Sequence, residues 1–277
     1  MPSEIFAGGL LDGQVAIVTG GGTGLGKAAA RELLACGASV MLAGRREEVL
    51  AAAGEELGDR CAWVAGDVRD PESCAAIVDT ALGAFGRLDV LVNNAGGQYF
   101  VPAEAIALKG WQAVTRLNVG GTLNMSVAAY ERALKRGGGG VVVNVTLSPH
   151  HGLAGMTHSS AARAAVEGLT RDLASRWDGD GVAVVAAAAG HFETDAIQKY
   201  PDVVRAGAAR SVPLGRLGRP EEHAWLIALL ASPLGRRLSG SVVTLDGARD
   251  NWYGPWPPAA LVDPNGAVPT EERRPKG

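Results

Sequence analysis

The chain has 277 residues, 47% of them apolar and 5% aromatic, with 39 glycines and a formal net charge of −3. That length suits one domain over residues 1–277, and the near balance of acids and bases leaves no footprint for nucleic acid or an anionic membrane. No run approaches the roughly 18 uninterrupted apolar residues of a membrane helix, and the first residues show no basic region leading into an apolar one, so neither spanning nor export is expected.

Val15–Thr19 is a short apolar run, followed by a glycine turn and then by Lys27–Leu34, which carries a helical pattern. Further strand-like runs follow at Ser39–Ala43, Cys61–Ala65, Leu88–Val92, Val141–Val145, Val182–Ala186 and Ser241–Leu245. Runs that are mostly apolar throughout, rather than alternating, are the pattern of parallel strands covered on both faces, and the helical stretches between them supply the crossovers. The expected fold class is therefore α/β: a Rossmann-like, doubly wound, seven-stranded parallel sheet with helices on both faces. Lys135–Gly140 reads as a helix C-cap and loop, and the pairs Glu47-Glu48 and Glu221-Glu222 as acids favouring helix starts. Residues 190–220, with Pro201 and Pro213, interrupt the alternation and form either a substrate loop or an ordinary surface connection. Residues 248–277 hold too many prolines for a helix; Trp252, Tyr253 and Trp256 there would pack on this subunit or a neighbour. Cys36, Cys61 and Cys74 form an odd set without metal-ligand spacing, so no metal is expected, and a reducing, cytoplasmic location is.

The turn Thr19-Gly20-Gly21-Gly22-Thr23-Gly24-Leu25-Gly26 lies between the first strand and the first helix. There, backbone N–H groups and a helix N-terminus can meet a pyrophosphate, so Gly20, Gly22, Thr23, Gly24, Leu25 and Gly26 are candidate dinucleotide contacts. A triphosphate loop is excluded, because Lys27 is followed by Ala28. Arg45 and Arg46 end the second strand where an acid would meet the ribose diol of NAD, which favours NADP(H), with NAD(H) still possible. Asp67 and Val68 would bracket the adenine, although Asp67 also fits a helix cap.

The glycine turn, Gly66-Asp67-Val68 and Asn93-Asn94-Ala95-Gly96 together resemble the short-chain dehydrogenase/reductase superfamily, and Ala188-Ala189-Gly190 with Thr194 extends the resemblance. It implies that Asn94, Ala95 and Gly96 border a nicotinamide and that Gly190 and Thr194 complete the cofactor site. It also implies that Asn118 holds active-site geometry, and that Thr146 takes the place of a catalytic serine. Ser159 and Arg163 then stand where the superfamily's tyrosine and lysine stand. The Asn93–Gln98 run, Pro102-Ala103-Glu104, Lys109-Gly110-Trp111 and His158–Thr170 resemble the peroxisomal trans-2-enoyl-CoA reductase and 2,4-dienoyl-CoA reductase branch and its bacterial relatives. The dienoyl-CoA reductases carry a separate tyrosine shortly after the fifth strand, where this chain reads Leu147-Ser148-Pro149-His150-His151. A homodimer or homotetramer is implied as well.

Reduction of a carbonyl needs a proton on the nascent alkoxide, and neither an unassisted serine nor a permanently charged arginine supplies one well. Reduction of a double bond conjugated to a thioester places charge on the thioester oxygen, which needs aligned donors more than a phenolic acid. Thr146 and Ser159 would donate, water or His158 would protonate the carbon, and Arg163 would hold ribose and add positive field. Plainer roles stand beside these: Ser159 as a helix opening, Arg163 in an ion pair and His158 as an exposed histidine. The expectation is an NADPH-dependent reductase of an enoyl thioester. The alternatives are an alcohol, aldehyde or ketone oxidoreductase with an atypical site, and a nucleotide-binding pseudoenzyme. Arg205, Arg210, Arg216 and Arg219 either meet the phosphates of an acyl carrier or keep the surface soluble.

Overall fold

A computed structural model describes residues 2–148, 150, 152–153, 155–195, 197 and 207–251. Seven strands, β1 (Val15–Thr19), β2 (Ser39–Gly44), β3 (Cys61–Ala65), β4 (Val90–Asn93), β5 (Gly140–Leu147), β6 (Val182–Ala189) and β7 (Val242–Leu245), form one parallel sheet in the order β3-β2-β1-β4-β5-β6-β7. The expected class and all seven strands are present. Gly140, expected in a loop, instead opens β5, its backbone lying so close to Asp89 that a Cβ would stand 2.5 Å from that carbonyl oxygen.

Helices α1 (Gly24–Ala35), α2 (Glu47–Leu57), α3 (Pro71–Phe85), α4 (Leu108–Thr115), α5 (Gly121–Ala129), α6 (Thr157–Trp177) and α7 (Pro220–Ala231) cover the sheet. Alternation along the strands builds two cores. Val141, Val143 and Val145 of β5 join Leu33 of α1 and Ile227 of α7 on one face, while Val142 joins Ile77 of α3, Met125 of α5 and Leu173 of α6 on the other. Glu47 and Glu48 open α2 and Glu221 and Glu222 open α7, as their charge requires.

A buried polar chain ties the second face together. Asn93 of β4 donates to Ser126 of α5 and Asn144 of β5, both at 2.9 Å, and Asn144 donates to Thr170 of α6 at 2.9 Å. All four are buried, and a satisfied network of this kind fixes which strands and helices meet.

Within residues 190–220, Phe192 pairs with Gly218 in a parallel bridge, and a Cβ on Gly218 would stand 2.5 Å from the Phe192 ring. His223 of α7 meets the same ring edge-on at 5.5 Å. Arg216 is bound to Glu222 at 2.6 and 2.8 Å, and Arg219 lies over Trp225, so both serve the start of α7. Arg205 and the aromatic residues Trp252, Tyr253 and Trp256 lie outside the described residues. Among those described, no helix is long and apolar enough to cross a membrane.

Burial pushes the His223 imidazole down from 6.5 to about 4. The unfolded chain therefore takes up a proton that the fold refuses between those values. This group's share of stability is full above pH 6.5 and is lost as the pH falls toward 4, by about 3 kcal/mol. In His223→Leu, the difference in urea-unfolding free energy between pH 7 and pH 4 should shrink by about that amount. An unchanged difference would mean that the ring titrates normally.

Candidate active site

The sheet order reverses between β1 and β4, and a cleft of about 1370 Å³ opens there. One hydroxyl joins the two strand ends. Thr19 Oγ1 donates to the Val92 carbonyl (3.2 Å) and accepts from the N–H groups of Asn94 (3.0 Å) and Ala95 (2.9 Å). The Asn94 amide donates back to the Thr19 carbonyl at 2.9 Å. A Cβ on Gly26 would stand 2.4 Å from both Asn94 Nδ2 and the Gly20 carbonyl oxygen, so α1 can start here only with glycine. Gly24 has φ +53 with nothing within 4 Å of its missing Cβ. Thr23 makes no side-chain cap and the first turn of α1 holds no acid, so its N-terminal N–H groups and positive dipole end suit an anion.

Gly20, Gly22, Thr23, Gly24, Leu25, Gly26, Arg45, Arg46, Asp67, Val68, Asn94, Ala95, Gly96, Gly190 and Thr194 all line this cleft, as do Thr146 and Arg163. The Asp67 carboxylate is gripped by the Arg69 guanidinium, with two bonds of 2.9 Å, which holds it at about 2. It does not cap α3, a task that falls to Asp70.

Asn118 sits in a π-turn, Arg116–Gly120, between α4 and α5. Its amide donates to the carbonyls of Gly97 and Val114, both at 2.8 Å, and accepts from the Gly97 N–H at 3.2 Å. Arg163, 9% exposed, donates to the Val145 carbonyl at 2.7 Å. A Cβ on Gly96 would meet Arg163 Nη2 at 2.3 Å and Asn118 Oδ1 at 2.7 Å, so this glycine is the floor on which both side chains rest. Thr146 Oγ1 lies 3.5 Å from Glu167 Oε1.

Asn118, His158 and Ser159 stand behind the wall rather than on it. Ser159, inside the first turn of α6 rather than at its cap, donates to Gln98 Oε1 at 3.2 Å, and Gln98 lines the cleft. His158 is fully buried, not exposed, with its ring edge-on to Tyr99 at 4.5 Å; burial keeps it below the usual imidazole value.

Several groups escaped the sequence reading. Tyr99 brings a phenol to the cleft, but its hydroxyl is turned over Gly110 on α4, 2.0 Å from where a Cβ would stand. His191 lines the cleft, pushed down to about 4 by burial and by Arg249. His150, which the sequence places after the fifth strand and which reads there as part of a substrate entrance, is not among the residues lining this cleft; it bridges Glu167 through Nδ1 and Thr244 through Nε2, both at 2.8 Å. Glu167 had a legible signal, since it follows Arg163 by one helical turn on the same face. Gln98 stood only as the end of the Asn93–Gln98 run, and Tyr99 had no signal, because loop contacts carry no period. His151 lies outside the described residues.

A family model described as short chain dehydrogenase matches residues 14–203. The peroxisomal 2,4-dienoyl-CoA reductase [(3E)-enoyl-CoA-producing] of Danio rerio is 36% identical over 88% of this chain and 84% of its own. The probable 2,4-dienoyl-CoA reductase [(2E)-enoyl-CoA-producing] of Bacillus subtilis (strain 168) is 37% identical over 89% of this chain and all of its own. The solved structure of the citronellol catabolism dehydrogenase AtuB of Pseudomonas aeruginosa PAO1 superimposes with a TM-score of 0.81 at 37% identity, over 90% of this chain and all of its own. The vertebrate relative is peroxisomal by name, which overturns the expectation of a cytoplasmic protein. Entry into that organelle follows a short receptor-read signal, to which net charge and cysteine count are indifferent. Fold, cleft and relatives agree: the chain belongs to the short-chain dehydrogenase family of NAD(P)H-dependent oxidoreductases.

Proposed function

We propose that the protein is an NADPH-dependent reductase of a carbon–carbon double bond conjugated to a thioester, acting on an enoyl- or dienoyl-CoA-like substrate. The observation that carries this reading is Arg163, a permanent cation held nearly buried on the cleft wall, where a proton-relaying pair would serve carbonyl reduction. The identity to proteins named 2,4-dienoyl-CoA reductase supports it.

The glycine turn and the start of α1 would hold the pyrophosphate, and Arg45 and Arg46 the 2′-phosphate. With Asp67 neutralised by Arg69, that phosphate meets little opposing charge. Asn94, Ala95, Gly96, Gly190 and Thr194 would line the nicotinamide end, with Val68 against the adenine. The cofactor, when bound, supplies hydride to the conjugated carbon. Charge then gathers on the thioester oxygen. Arg163 supplies positive field there and Thr146 the cleft hydroxyl, while Ser159 orients Gln98 and Asn118 braces the wall under Arg163. Such fixed donors need no rearrangement as the charge appears. Water in the cleft would then protonate the carbon next to the thioester, which completes the reduction; Thr146 at 3.5 Å and His150 at 2.8 Å both meet Glu167 Oε1, and His158, behind Tyr99, backs the substrate wall. Exposed Leu108, Trp111 and Leu123 on α4 and α5 suit the face that a homo-oligomer would bury.

NADPH oxidation followed with panels of enoyl-CoA, dienoyl-CoA, ketone and aldehyde tests the reaction. Turnover should be confined to the conjugated thioesters; selective ketone reduction would overturn the proposal, and binding of NADPH without any oxidation would point to a pseudoenzyme. Arg163→Gln should lower kcat by roughly 10²–10³ and also weaken NADPH, whose ribose it would hold, and Thr146→Ala should lower kcat by roughly 10², both read by steady-state kinetics.

The double change Arg45→Ala/Arg46→Ala should weaken NADPH by at least roughly tenfold and leave NADH within about threefold, read by fluorescence titration. Equal losses for both cofactors would remove the 2′-phosphate role. Gly26→Ala should lower stability through the clash of a Cβ there and abolish binding of either nucleotide, read by urea unfolding beside fluorescence titration.

A further inference from the structure

Part of the lining of the cleft that holds Thr146 is carbon. Phe100, Leu147, Leu153, Met156 and Phe192 contribute to it, and Leu153, Met156 and Phe192 are otherwise buried. Resting on the thioester reading above, we propose that Phe100, seated on Gly155, is the end wall that sets the length of acyl chain this cleft accepts.

The seat is specific to glycine. A Cβ at position 155 would stand 2.4, 2.7 and 2.8 Å from three carbons at the far end of the Phe100 ring, so the ring occupies the space that any other side chain would take. The backbone at Gly155 has φ +78, and its carbonyl accepts from the Val101 N–H at 2.9 Å. That bond fastens the loop carrying Phe100 to the turn leading into α6. Met156 is tied back to the Leu153 carbonyl at 3.0 Å, so the turn itself is braced. When the seat is filled, the ring is therefore the part that gives, and the open space on its other side is the cleft.

Two changes act in opposite directions. Removing the ring opens room beyond the present end wall; filling the seat pushes the ring into the chain's path. Each methylene buried against carbon is worth roughly fourfold in affinity, so an end wall shows as a chain length beyond which affinity stops rising. Phe100 meets only the tail in this scheme and acts on specificity, not on the reacting atoms.

The test is isothermal titration of saturated acyl-CoA thioesters, from butanoyl to hexadecanoyl, into wild type, Phe100→Ala, Phe100→Leu and Gly155→Ala, each with NADP⁺ present. The expected result is a plateau that moves to longer chains in Phe100→Ala and less far in Phe100→Leu. The first chain beyond the wild-type plateau should gain about tenfold in affinity in Phe100→Ala. Gly155→Ala should move the plateau to shorter chains with NADP⁺ affinity unchanged. Should Gly155→Ala fail to fold, the two Phe100 variants decide alone. A plateau at the same chain length in wild type and both Phe100 variants overturns the proposal, as does an absence of any acyl-CoA binding. The two readings separate cleanly: a shifting plateau without double-bond reduction sinks the reaction and supports the end wall. Normal enoyl turnover with an unmoved plateau does the reverse.

Discussion

A single threonine hydroxyl holds the molecule's central junction. Thr19 joins the end of β1 to the end of β4 through one donated and two accepted bonds, where the sheet order reverses and the cleft begins. Everything on the cofactor side is registered from that clamp. Asn94 reaches from it to the glycine turn, and Gly26 lets α1 start close enough for its N-terminal N–H groups to face an anion. On the other side the same stretch of chain continues into Gly96 and Gly97, the ledge under Asn118 and Arg163.

The second constraint is polar and buried. Asn93, Asn144, Ser126 and Thr170 bond to one another across β4, β5, α5 and α6. An apolar interface would tolerate a slip of α6 along the sheet, whereas an unmatched amide in this position would carry a desolvation penalty of about 1–3 kcal/mol. The network thereby fixes the height of α6, and with it the meeting of Arg163 with the Val145 carbonyl and of Glu167 with His150. A cation set this rigidly suits a reaction whose charge appears on a distant oxygen, because the field is in place before the charge forms.

Much of the architecture is written locally. The strands were legible because parallel strands buried on both faces must be apolar throughout, and the glycine turn because close backbone approach demands glycine. The positions of Arg45 and Arg46 followed from the end of the second strand, and that of Arg163 from the family resemblance alone. The far wall of the cleft was less legible. His158, read either as a proton donor or as an exposed histidine, is fully enclosed against Tyr99, and Ser159, read either as a donor to the substrate or as a helix opening, donates to Gln98. The π-turn that carries Asn118 leaves no mark in a helical pattern of apolar residues.

The sequence by itself determined the seven-stranded doubly wound sheet and the glycine turn between β1 and α1, since each is a matter of residue type at a short, fixed spacing. Only the tertiary structure decided how the side chains in and around the cleft are seated: Tyr99 turned onto α4, Phe100 set on Gly155, and His150 bridging α6 to β7. Those contacts join segments remote along the chain, and their geometry is set by packing of whole elements, which local pattern does not encode.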